Sequence, residues 1–140
     1  MKDATEMYIP TFQDMLDAHE RIKPYIHRTP VLTSSYFNEL TGAELFFKCE
    51  NFQKAGAFKV RGASNAVFGL SDEDAAKGVC THSSGNHALS LSYAAGRRGI
   101  PCNVVMPRTA PEAKKAAVRG YGGTITECEP STTSREEVFA

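Results

Sequence analysis

Apolar residues recur along this chain at two periods, and the change of period marks its organisation. Phe12, Met15, Leu16 and Ile22 form one stripe, preceded by Thr11 with Asp14 three residues on and stopped by Pro24. A hydroxyl and a carboxylate at that spacing cap a helix start and proline cannot continue a helix, so the pattern predicts a helix here. "SSYFNELTG" predicts a short helix from a Ser34 or Ser35 cap to Gly42. "AELFFKCE", short, apolar and aromatic, predicts a strand. After Gly56, Val60, Ala63, Val67 and Leu70 recur at helical spacing, which predicts a helix with Lys59 in its first turn.

Beyond "SDEDAAKG", a linker or short helix, the rhythm becomes regular. "GVCTH", "IPCNVVMP" and "TITECE" predict strands. "SSGNHALSLSYAAGRRG", closed by Gly99, and "APEAKKAAVRGYGG" predict the helices between them. "STTSREEVFA" begins a further helix, with Glu137 three residues after a Ser134 cap. Strands alternating with helices at this spacing imply an α/β fold: a parallel sheet flanked by helices.

Composition narrows the function. With 140 residues the chain is one domain, or one small domain and part of another, and 41% hydrophobic residues suffice for a core. Lys+Arg and Asp+Glu number 16 each, so bulk charge gives no reason to expect nucleic acid or a membrane surface as partner. No apolar run approaches the ~18 residues of a membrane span. The start lacks the apolar core of a secretory signal, so the expected location is cytoplasmic. Four dispersed cysteines without a CxxC pair read as free thiols, and the four histidines form no zinc pattern, so no metal site is expected.

Two constellations carry chemistry. Lys59 stands among Ala55, Gly56, Ala57, Gly62, Ala63 and Ala66. A lysine amine attacks a carbonyl only when neutral, and its reference pKa is ~10.4. The partial positive charge of a helix start, and Arg61 beside it, would lower that value. Small neighbours leave room for a flat ring, on which Phe58 could pack. By itself the pattern fits both a solvated surface lysine and a Schiff-base lysine. The second is "THSSGNHA", where a strand hands over to a helix. Uncapped helix amides with a close-approach glycine, Gly85, and the polar groups of Ser83, Ser84 and Asn86 suit a carboxylate or a phosphate. An ordinary helix cap is the competing reading.

Together, in this order, the two constellations resemble the pyridoxal-phosphate enzymes of fold type II. "LFFKCENFQKAGAFKVRGASNAV" resembles the cofactor-lysine block of the serine racemase and serine/threonine dehydratase family, and "IHRTPVLTSSYFNELTG" its N-terminal block. The run from Val79 to Glu136 resembles its small domain. The resemblance implies an N-terminal part of the large cofactor-binding domain over residues 1–70 and a small domain over 71–140. It implies racemisation or β-elimination of serine or threonine, with Lys59 holding pyridoxal 5'-phosphate and acting on one face of Cα, and Ser84 acting on the other. Phe58 and Asn86 would contact the cofactor. Ser83, Ser84, Gly85, Asn86, His87 and Arg135 would hold the substrate. In mammalian members Mg2+ and ATP bind between subunits of a homodimer, and Ser35, Lys54, Pro111, Lys114 and Tyr121 stand at the matching positions. Ala57 departs from the serine common in the family but is also small.

The family's glycine-rich phosphate cradle lies beyond residue 140. The expectation is therefore a truncated chain, inactive by itself. Two alternatives stay open: a non-catalytic fragment or subunit-interaction module, and a different fold type II lyase such as a threonine deaminase.

Overall fold

The computed structural model describes residues 8–131 together with Glu137 and Val138. Helix α1 (Phe12–Ile22) starts with the expected capping box: the Asp14 N–H donates to the Thr11 hydroxyl at 3.3 Å and the Thr11 N–H to the Asp14 carboxylate at 2.7 Å. Its apolar stripe is less used than the sequence implies, for only Ile22 is buried while Phe12, Met15 and Leu16 stay exposed. Helix α2 (Ser35–Thr41) is capped by Ser34 and closed by Gly42 in the left-handed region, φ 68°. Between and after them, β1 (Val31–Leu32) pairs antiparallel with β2 (Phe47–Lys48), Leu32 opposite Phe47. The strand expected over "AELFFKCE" thus narrows to two residues, because the chain turns into a 3-10 segment at Glu50–Phe52. A second 3-10 segment, Lys54–Gly56, leads into α3 (Lys59–Gly69).

After α4 (Asp72–Ala76), the chain builds a three-stranded parallel sheet in the order β3 (Val79–His82), β4 (Cys102–Pro107), β5 (Thr124–Cys128). Helix α5 (Asn86–Arg98) joins β3 to β4, and α6 (Glu112–Gly120) joins β4 to β5. Central β4 is buried at Cys102, Val104, Val105, Met106 and Pro107, which explains its continuous apolar run. The expected α/β fold, a parallel sheet flanked by helices, is the one observed. The expected helix with the Ser134 cap lies outside the described residues except at Glu137 and Val138.

One core joins the two halves. Ala63 and Val67 of α3 pack in the same buried cluster as Ala88, Leu91, Ala94 and Ala95 of α5, Val104 and Met106 of β4, and Val118 of α6. Small side chains let α3 and α5 approach closely. Arg98 fastens the far end of α3 by donating to the Val67 carbonyl and, at 3.0 Å, to the Leu70 carbonyl. All four cysteines are free thiols.

The C-terminal end of α6 approaches α5 closely at Gly96, where an added Cβ would lie 2.4 Å from the Tyr121 carbonyl oxygen. A backbone oxygen cannot swing aside as a side chain can. Gly96→Ala is therefore expected to destabilise the fold by about 1–3 kcal/mol and to lower Tm by several degrees in a thermal melt. An unchanged Tm would contradict that packing.

Candidate active site

The approach to Lys59 is unusual backbone. Ala55 and Gly56 are both left-handed, with φ 55° and 68°, and Ala57 is extended and buried. Phe58 precedes α3 without a side-chain cap, and the first turn closes on backbone instead, the Arg61 N–H donating to the Phe58 carbonyl at 3.0 Å and the Val60 N–H to the Ala57 carbonyl at 3.4 Å. The Lys59 amine stands 5.3 Å from the Phe58 ring centroid, and both side chains are exposed. The Lys54–Gly56 segment packs against α5, which brings the lysine's approach to the helix bearing the second constellation.

Arg61 does not add charge beside Lys59 as the sequence suggests. It forms a two-pronged ion pair with Glu50 at 2.8 and 2.7 Å, and Glu50 also accepts the Thr29 hydroxyl at 2.6 Å. The Arg61 hydrogen bonds, outweighing burial, hold the Glu50 carboxyl at about 2, well below its ordinary 4.5. Glu50 in turn raises Arg61. The guanidinium's charge is thus matched locally by Glu50.

The Ser83–Gly85 loop occupies the carboxyl end of β3, where open α/β sheets bind ligands. The Ser83 N–H donates to the Val105 carbonyl at 3.1 Å, tying the loop to β4. The Gly85 N–H donates to the Ser83 hydroxyl at 3.3 Å. Gly85 is the N-cap of α5, and no side chain caps the helix. Serine and asparagine here therefore do not form an ordinary cap, and the first-turn amides of a 13-residue helix are left for an anion. An added Cβ at Gly56, Gly62 or Gly85 would meet nothing within 4 Å, so open space surrounds both constellations. Asn86 and His87 are exposed, and the Asn86 side-chain oxygen Oδ1 accepts from the Lys114 amine at 3.2 Å.

The other predicted site residues are scattered. Ser35 opens α2, Lys54 opens its 3-10 segment, Pro111 precedes α6, and Tyr121 ends α6 with its ring edge-on to Tyr93. Lys114 is the member of that set that reaches the substrate-loop residues, through its bond to Asn86. Arg135 lies outside the described residues. A cavity of about 550 Å3, lined by His19, Ile26, Lys48 and Arg61 among others, contains none of the predicted residues. Sequence reasoning missed Glu50 and Gln53, whose partners are far away in the chain.

An α/β chain with an exposed lysine in the first turn of one helix and a polar, glycine-containing loop at the start of the helix packed beside its approach fits enzymes that hold a carbonyl cofactor. The chain belongs to the Pyridoxal-phosphate dependent enzyme family, which matches residues 22–140. It is 79% identical over 134 residues to the beta-hydroxyaspartate dehydratase of Paracoccus denitrificans, a match covering 96% of this chain and 42% of that protein. The structure of maize serine racemase superposes with a TM-score of 0.90 at 52% identity, covering 94% of this chain and 40% of that one. The T.th. threonine deaminase structure superposes with a TM-score of 0.82 at 43% identity, covering 93% and 41%. These fold type II neighbours bear out the resemblance to the serine racemase and dehydratase family. The chain spans about 40% of the length of such relatives.

Proposed function

We propose that this chain supplies the reactive lysine and the carboxylate-binding loop of an enzyme that racemises or dehydrates a small β-hydroxy-α-amino acid. The observation that carries this reading is the pairing of two helix starts that no side chain caps. One presents Lys59, and the other presents the Ser83–Asn86 loop on the helix against which the lysine's approach packs.

The residues present fit the reactive end of pyridoxal phosphate, with an exposed amine, open space at Gly56, Gly62 and Gly85, and an aromatic ring at Phe58. When bound, that group supplies an electron sink that acidifies the substrate Cα. Lys59 would hold it through its amine and exchange a proton with Cα on one face. Ser84 would hold a proton on the other face, as inversion requires. The α5 amides with Ser83 would fix the substrate carboxylate, and the Asn86 amide, its oxygen occupied by Lys114, would offer its N–H groups to an acceptor. Departure of the β-hydroxyl after proton removal at Cα gives dehydration from the same site.

Serine and threonine are the substrates proposed from the serine racemase and threonine deaminase resemblance. The 79% identity to a beta-hydroxyaspartate dehydratase favours β-hydroxyaspartate as a second reading. We place the domain division near residue 70, which separates the β1–β2 pair from the β3–β5 sheet. The proposed enzyme is a cytoplasmic homodimer. Mg2+ and ATP would act near Ser35, Lys54, Pro111, Lys114 and Tyr121.

The intact protein, loaded with pyridoxal phosphate, should be offered L-serine, D-serine, L-threonine and β-hydroxyaspartate. Release of keto acid or inversion at Cα with at least one is expected. Turnover of none would overturn the reading.

A further inference from the structure

Lys59 can serve a bound group only if α3 begins at one fixed place. A slip of one residue would rotate Lys59 by about 100° around the helix axis. The backbone leading to it is poorly suited to hold itself. Ala55 is the only non-glycine with a positive φ among the described residues, and it is followed at once by left-handed Gly56. An alanine resists that conformation, so neighbouring structure must impose it.

Gln53 provides that structure. It is 4% exposed, and its side-chain amide makes three hydrogen bonds to backbone. The side-chain oxygen accepts the His27 N–H at 2.8 Å and the Lys54 N–H at 2.9 Å, and the side-chain nitrogen donates to the His27 carbonyl at 2.8 Å. The side chain thus reads both backbone groups of His27 as a strand partner would. Its own carbonyl accepts the Gly56 N–H at 2.9 Å, closing the turn. A second tie runs in parallel, from Thr29 through Glu50 to Arg61 on the first turn of α3. A buried amide bonded through both its oxygen and its nitrogen favours one arrangement where an apolar side chain would only fill space.

We propose that Gln53 is a positioning residue for Lys59: bonded to His27, it holds the Ala55–Gly56 turn so that α3 starts at the lysine. This rests on the reading of Lys59 as the cofactor lysine. The test compares the intact protein with Gln53→Met, which removes all three bonds, and Gln53→Glu, which keeps the two acceptor bonds but sets a carboxylate oxygen against the His27 carbonyl where the amide donated. Each is stripped of cofactor, mixed with pyridoxal phosphate, quenched with borohydride over time and mapped by peptide mass, with Lys77 as the reference lysine. Attachment at Lys59 is expected to slow about tenfold in Gln53→Met and at least several-fold in Gln53→Glu, with the reference lysine unchanged. A loss of packing alone would lower Tm without this selective effect. Should Gln53→Met fail to fold, Gln53→Glu carries the test. Label on Lys59 at an unchanged rate in the folded variants would overturn the positioning role alone. Label on a different lysine in the unsubstituted protein would overturn the cofactor-lysine reading as well.

Discussion

Lys59→Ala is expected to lower kcat on every amino-acid substrate of the loaded protein by at least about 10^3–10^4-fold while leaving the fold intact. Lys59 is exposed and its amine lies over the Phe58 ring, itself exposed, so its removal should change stability by no more than about 0.5 kcal/mol. That separation matters, because a loss of activity without a loss of Tm assigns the residue to the chemistry. Lys59→Arg should be as inactive, since a guanidinium keeps its charge at any working pH and cannot attack a carbonyl. Paired kinetics and thermal melts on the two variants check both statements. Activity within tenfold of the unsubstituted protein in either would contradict them.

Ser84→Ala is expected to separate two activities. Inversion needs a proton held on each face of Cα, whereas β-elimination needs removal from one face and departure of the hydroxyl. The variant should therefore lose racemisation about 10^2–10^3-fold and lose dehydration of L-serine less than tenfold. Ser84 is half-buried in the loop before α5 and does not cap that helix, so its hydroxyl can be removed without uncapping α5. Chiral chromatography of remaining serine, run beside a keto-acid assay, measures both rates in one reaction. Equal losses would remove Ser84 from the role.

Local chemistry was readable from the chain, and pairing over distance was not. Thr11 with Asp14, the α2 cap, and the stops at Gly42 and Gly99 each act within a few residues, and the structure places them as expected, choosing Ser34 over Ser35 for the cap. The alternation of strand and helix after Val79 is likewise local repetition, and it produced the β3–β4–β5 sheet. By contrast, Val31–Leu32 becomes a strand only because Phe47–Lys48 lies beside it. The α1 stripe suggested more burial than it received, since a helical period says which face is apolar and not what covers it. At the site, the place of Lys59 at a helix start followed from periodicity. The diversion of Arg61 to Glu50, and the grip of Gln53 on His27, depend on contacts across 11 and 26 residues. A side-chain amide several positions before a lysine carries no local signal of what it will hold.

Under the proposed function, Lys59 would be the residue through which the protein holds pyridoxal phosphate. The direct measurement is borohydride reduction of the intact, pyridoxal-phosphate-loaded protein followed by peptide mass mapping. The expected result is a single stoichiometric pyridoxyl adduct on Lys59, absent from Lys59→Ala. A stoichiometric adduct on any other lysine, or none in a folded protein that binds the cofactor, would contradict it.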